Sequence, residues 1–150
     1  MNFLISMPGS LEIIIMLSGL TLTIVPLVFY LLTLQSTFNA VSPENRKMPS
    51  SNVWLLLIPV FGLAWHFFVV NRLSDSIQAE ANARNIKLEE FRPTRQIGLA
   101  MCILGASTLI PVINALTGLA FIVCWIIYWV KINNYRKILL ESEANLLARG

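Results

Sequence analysis

Apolar residues in this chain fall into three long runs separated by polar stretches. The first is "LEIIIMLSGLTLTIVPLVFYLLTL", residues 11–34. Its length and composition predict a membrane-spanning helix. Pro8 and Gly9 precede it, and Ser10 stands where an N-cap is expected. Glu12 would sit in the first turn, where a carboxylate meets the positive end of the helix dipole. Pro26 predicts a kink, which neighbouring helices tolerate by satisfying the freed carbonyl. The second run, residues 53–71, would cover roughly 28 Å as a helix, close to the hydrocarbon thickness of about 30 Å. Trp54 marks one end, at the level expected for an interfacial indole.

The third run, residues 96–132, is too long for one span. "PVIN", Pro111 to Asn114, is the natural turn, which gives spans at 96–110 and 115–132. The first of these is short, so tilt or local thinning is expected around it. Between the second and third runs, Leu73, Ile77, Ala81, Leu88 and Phe91 recur at helical spacing. They predict a surface helix to about Arg84, a break at Asn85 and a short second piece ended by Pro93, with Thr94 capping the next span. After Lys131 the tail should continue span four as a helix into water. Its weak seam of Tyr135, Leu139, Ser142 and Leu146 would dock on the surface helix. The expected fold is a single-domain, all-α integral membrane protein with four transmembrane helices, at 11–34, 53–71, 96–110 and 115–132. An amphipathic surface helix separates spans two and three, and a cytoplasmic helix closes the chain.

Composition agrees with this reading. The chain is 56% hydrophobic and 13% charged, against roughly 45–50% and about 25% in soluble domains. The net charge of +3 comes from basic residues in loops beside apolar runs, with no basic face interleaved with stacking aromatics, so a nucleic-acid partner is not expected. No Lys or Arg precedes the first run, which argues for a retained span and against a cleaved leader. Four spans would put nine Lys and Arg residues on the side of residues 72–95 and the tail, against Arg46 and Lys47 on the other. The excess of basic residues on cytoplasmic faces then places both termini in the cytoplasm. If residues 53–71 instead re-entered, turning back at Pro59–Gly62, all eleven basic residues would share one side and only the N-terminus would lie opposite. A full span is the expectation, since each re-entrant limb would be under ten residues.

"LIPV" occurs twice, at Leu57–Val60 and Leu109–Val112. The first copy is expected inside a span and the second at a hairpin, so the repeat reads as two uses of Ile-Pro as a bend. A transporter-like inverted repeat would place the copies at matching positions.

Few residues suggest chemistry. His66 is the only histidine and lies within an expected span, and Glu12 should lie near the same boundary. Together they could form a protonation site, although a hydrogen-bonded histidine beside Trp65 and a helix-ending glutamate explain both residues more simply. Ser107, Thr108, Asn114 and Thr117 surround the expected hairpin turn and would satisfy freed backbone groups or line a small vestibule. Cys102 and Cys124 are each eleven residues from Ile113, so they should lie at similar depth on adjacent antiparallel helices. Gly98, Cys102 and Gly105 make a small-residue stripe suited to close helix packing against the helix that carries Cys124. Trp125, Tyr128 and Trp129 read as an interfacial aromatic belt. No phosphate-binding glycine loop, catalytic constellation, metal-ligand spacing or cofactor signature is visible; an enzyme is not expected.

The run "NRKMPSSNVWLLLIPVFGLAWHFFVVNRLSDSI", with the later "LIPVI" and "CWIIYWVKI", resembles small multi-pass bacterial membrane proteins whose families have no assigned function. The resemblance covers roughly residues 45–135 and implies a bacterial inner-membrane location. The expected partners are the lipid bilayer and either another membrane protein or further copies of the chain. Two roles follow: a non-enzymatic scaffold or accessory subunit of a larger membrane complex, or a homo-oligomeric channel or small transporter with His66 and Asn114 near a gate.

Overall fold

The computed structural model describes residues 9–110 and 114–149. The described residues are all-α: α1 (Ser10–Asn39), a 3-10 helix (Ser50–Leu57), α2 (Phe61–Ala83), α3 (Arg95–Ser107) and α4 (Asn114–Arg149). They divide into two compact units, one up to Tyr30 and one from Leu31 onward. Two helices, α1 and α4, are long and apolar enough to cross a membrane.

The first unit holds most of α1. The Glu12 carboxylate accepts a hydrogen bond from the Gly9 N–H at 3.2 Å, which satisfies one of the free donors at the helix start. Ser18, Thr21 and Thr23 donate back to the carbonyls of Ile15, Leu17 and Gly19. Their hydroxyls are therefore spent inside the helix, and the segment presents an apolar surface. Helix α1 continues through Pro26.

The second unit has a core of Leu31, Leu34, Phe38, Val53, Leu73, Ile77, Met101, Tyr128, Ile132 and Leu139, all at most 1% exposed. Helices α3 and α4 form a close antiparallel hairpin. A Cβ added at Gly98 would meet Tyr128, and one added at Gly105 would meet Phe121. Both pairings are symmetric about residue 113, which sets Cys102 level with Cys124. Pro111, Val112 and Ile113 lie outside the described residues. The last turns of α1 run parallel to α4, because Thr33 pairs with Trp129 and Ser36 with Arg136 in the same order.

The four-span expectation is corrected here. Residues 53–71 are not one helix. The 3-10 helix ends at Leu57, and Ile58, Pro59 and Val60 turn the chain back into α2. Val60 has φ 63° and the Phe61 N–H donates to the Pro59 carbonyl at 2.6 Å, a tight γ-turn. The two limbs then lie antiparallel, with the Trp65 Nε1–H donating to the Asn52 carbonyl at 2.9 Å. The physical cause is Pro59, which cannot continue the helix and biases Ile58 to extended backbone. Both copies of "LIPV" therefore stand beside a reversal of the chain: the first makes the turn, and the second begins in the turn that follows α3. Span three also falls short, since the 13 residues of α3 rise roughly 20 Å.

The surface helix is not a separate element. It is the second half of α2, which runs unbroken from Phe61 to Ala83. Its stop agrees with the sequence, at Asn85 with φ 55°. The short second piece is absent; residues 86–94 are irregular. Thr94 precedes α3 with φ 63° and makes no side-chain cap. The tail does continue α4, and Tyr135 and Leu139 of the seam are buried, while Leu146 is exposed.

Close backbone approach at two glycines gives a stability test. A Cβ at Gly62 would sit 2.3 Å from the Leu56 carbonyl oxygen, and one at Gly98 would sit 2.5 Å from the buried Val70 side chain. Gly62→Ala and Gly98→Ala should each lower stability by about 1–3 kcal/mol. Gly19→Ala, which meets nothing within 4 Å, should leave it unchanged or slightly raised. Thermal unfolding of the detergent-solubilised variants checks this order.

Candidate functional site

The second half of α2 carries an acid on its buried stripe. Leu73, Ile77, Glu80 and Ala81 share one helical face, and Glu80 is 1% exposed. Its carboxylate is met from three directions. Ser42 donates to Oε1 at 2.6 Å and Asn45 Nδ2 donates to Oε2 at 2.7 Å, both from the loop after α1. Arg84, one turn on, pairs with Oε1 at 2.5 Å. Burial works to raise the Glu80 carboxyl, but the Ser42 and Asn45 hydrogen bonds and the Arg84 charge outweigh it and hold the group below the usual glutamate range.

The cluster extends further. Arg84 Nη1 donates to the Leu139 carbonyl and to the Ser142 hydroxyl, both at 2.8 Å. The Ser76 hydroxyl accepts the Lys47 N–H at 2.9 Å, and Arg46 donates to the Val41 carbonyl at 3.0 Å. Together these bonds join the loop of residues 40–49, α2 and the tail of α4. Four spans would have put a bilayer between that loop and both other segments. Residues that share hydrogen bonds share a side, so this part of the expectation is corrected as well.

A second cluster lies at the start of α3. Glu90 pairs with Lys131 of α4 and accepts the Thr94 N–H at 3.0 Å. The Lys131 hydrogen bond, against the opposing effect of burial and with help from Thr94, keeps the Glu90 carboxyl low. Arg95 Nε donates to Asn71 Oδ1 at 2.7 Å. Asn71 is where α2 passes from apolar to polar sequence, so this bond sets the polar boundaries of α2 and α3 at one level.

The residues singled out from sequence lie on different elements. His66 is half-buried one turn after Gly62, within an aromatic row in which Trp65 stacks on Phe61 at 5.4 Å and on Phe68 at 4.7 Å. Glu12 holds the start of α1. Asn114 is the first residue of α4, and its side chain lies outside the described residues. Gly98, Cys102 and Gly105 line the α3–α4 contact, with Cys102 buried and Cys124 half-buried, both free thiols. Ser107 and Thr108 donate to the carbonyls of Leu104 and Gly105, both at 2.7 Å. Tyr128 is wholly buried and so belongs to the core, unlike a belt residue at a membrane surface. Trp129 reaches the Thr33 hydroxyl at 2.9 Å. The described residues contain no group of three or more His, Cys, Asp or Glu side chains placed to hold a metal.

The Glu80 cluster was missed from sequence. Its signal is an acid seven residues after Leu73, on the same stripe as Ile77 and Ala81. The arrangement is a clamp: Ser42, Asn45 and Arg84 all close on the Glu80 carboxylate. Comparison with family models, curated proteins and solved structures finds no match to the chain.

The clamp predicts a pH dependence. The Glu80 carboxyl is lower in the folded state than its ordinary value of 4.5. Its stabilisation is therefore fully present above about that pH and is lost as pH falls through the lower folded value. Glu80→Gln should cost about 3 kcal/mol at neutral pH, because Arg84 loses its counter-charge. It should also flatten the loss of stability below pH 4.5 relative to the unsubstituted protein. Thermal unfolding across acid pH measures both effects.

Proposed function

We propose that the protein is a non-enzymatic accessory or scaffold subunit of a larger complex in a bacterial inner membrane, anchored by α1. The carrying observation is the surface of α1: every described side chain from Leu11 to Val25 is exposed, along a helix long and apolar enough to cross a bilayer. With its hydroxyls turned back on its own carbonyls, that segment offers packing surface to lipid or to a partner helix. The polar half of the second unit is a folded body clamped by Glu80, suited to binding and without an evident reaction centre.

Two features support a topology in which α1 crosses the membrane and the rest of the chain enters from one side. The first is reach. From the level where Val70, Gly98 and Tyr128 meet, the first hairpin extends roughly 16 Å to Pro59 and the second roughly 21 Å to Asn114. Both fall short of a hydrocarbon core of about 30 Å. Upstream of Thr33, α1 has roughly 33 Å of helix back to Leu11. The second is charge. All eleven Lys and Arg residues follow α1, so this arrangement gathers them on one face, the cytoplasmic one. The N-terminus is then periplasmic, and the tail cytoplasmic.

Two measurements test the proposal. In a background with Cys102 and Cys124 replaced by Ser, Glu44→Cys should resist a membrane-impermeant maleimide in intact cells and react once the membrane is opened, whereas Gly9→Cys should react at once. Labelling of Glu44→Cys in intact cells would overturn the cytoplasmic placement of the second unit. Purified from its host in mild detergent, the protein should carry a stoichiometric heterologous partner. A ring of identical copies would instead favour a channel.

A further inference from the structure

Beside the polar boundary shared by Asn71 and Arg95, the surface opens into a cleft of about 460 Å³, lined by Glu90, Phe91, Arg92, Arg95, Gln96 and Leu99. A second opening of about 310 Å³ adjoins it past Gln96 and reaches Ile97, Ala100 and Lys131. The charges of this region are unevenly satisfied. Glu90 is occupied by Lys131 and by the Thr94 N–H. Arg92 is exposed, and neither it nor Arg95 pairs with a carboxylate among the described residues. Arg95 is held in place through Nε by Asn71, and its two terminal nitrogens remain for another acceptor. One guanidinium group held in place and a second exposed beside it, both without a carboxylate partner, suit an oxyanion that accepts several hydrogen bonds, and phosphate is such a group.

The apolar side of the cleft narrows the choice. Phe91 is 81% exposed and Ile103 is 61% exposed. Arg95, Leu99 and Ile103 follow one another at single turns on one face of α3. A cation thus stands at the polar boundary, with an apolar stripe leading away from it along the hairpin. A free phosphate would use the arginines and leave that stripe in water. A phosphate bearing an acyl chain would use both.

We propose that this cleft binds an anionic phospholipid, its phosphate between Arg92 and Arg95 and an acyl chain along Leu99 and Ile103. The assignment rests on the membrane placement proposed above, in which this boundary lies among the headgroups of the cytoplasmic leaflet. It does not depend on which protein the subunit accompanies.

The test uses full-length protein reconstituted into phosphatidylcholine nanodiscs and titrated with phosphatidylglycerol, with bound lipid counted by native mass spectrometry. A saturable preference for phosphatidylglycerol is expected. Arg92→Gln should weaken it about fivefold, and adding Arg95→Gln should weaken it by about a further fivefold, from the attraction lost per basic residue at a membrane surface. Lys137→Gln, an exposed change on α4 outside the cleft, should leave the preference intact. The Arg92 side chain is exposed and makes no hydrogen bond among the described residues, so the single variant stays informative if the double variant unfolds. Equal weakening by Lys137→Gln would reduce the effect to net charge and overturn the site. Displacement of the lipid by millimolar inorganic phosphate would assign the arginines to a soluble anion and overturn the lipid. Stable insertion into nanodiscs with no anionic preference would overturn this inference and leave the membrane placement standing. Failure to insert at all would overturn both.

Discussion

A carboxylate taken out of water must be met by donors on all its lone pairs, and the second unit is organised around that requirement at Glu80. Ser42 and Asn45 approach from one loop, and Arg84 from the next turn of the same helix. Hydrogen bonds to a charged group contribute about 1.5–3 kcal/mol each, and losing one partner of a buried set costs more than any single bond is worth. The loop after α1 therefore cannot drift from α2. Through Arg84 the same charge also positions the tail of α4 by way of Leu139 and Ser142. Segments separated by up to about a hundred residues of sequence share one electrostatic anchor.

The apolar half follows a different rule, set by what a proline does between two apolar limbs. Pro59 ends the 3-10 helix and Val60 completes the reversal. After α3 the chain reverses again, beginning at Thr108. In each case an ascending limb of 13 residues or fewer is followed by a longer helix that descends and continues into polar sequence. The first copy of the repeated tetrapeptide makes its reversal, and the second begins within the turn after α3. The shared spacing stops there, since α2 and α4 differ in length by 13 residues.

How much of this could be read from the residues divides along physical lines. The helical class, α1, the α3–α4 hairpin, the stop near Asn85 and the helical tail all came from local signals: hydrophobic period, Pro and Asn placement, and run length. The 3-10 limb did not, because Val53 to Asn71 has the length of a span, and length outweighed Pro59. Continuity of α2 across Asn71 was missed for the opposite reason. A change from apolar to polar sequence looks like a boundary, but no helix breaker stands there, and Asn71 bonds to the Phe67 carbonyl without leaving the helix. His66 drew attention as a lone ionisable group among apolar neighbours, whereas the acid with the richest set of partners, Glu80, lay in a segment that read as solvated surface. Tertiary burial decided its role, and no window of local sequence reports that alone.

Helices α2, α4 and the end of α1 all point their C-termini toward the same polar region. Peptide dipoles that alternate in direction would cancel. Here they share a direction, and the carbonyls at the ends of α1 and α2 build a negative potential where those two helices stop. The chain answers with guanidinium groups at those ends: Arg46 on the Val41 carbonyl beyond α1, and Arg84 at the end of α2, bonded in turn to a carbonyl of α4. Basic residues that a topology rule would count only as markers of sidedness thus also balance the field of the backbone, so moving them would unsettle the helices themselves.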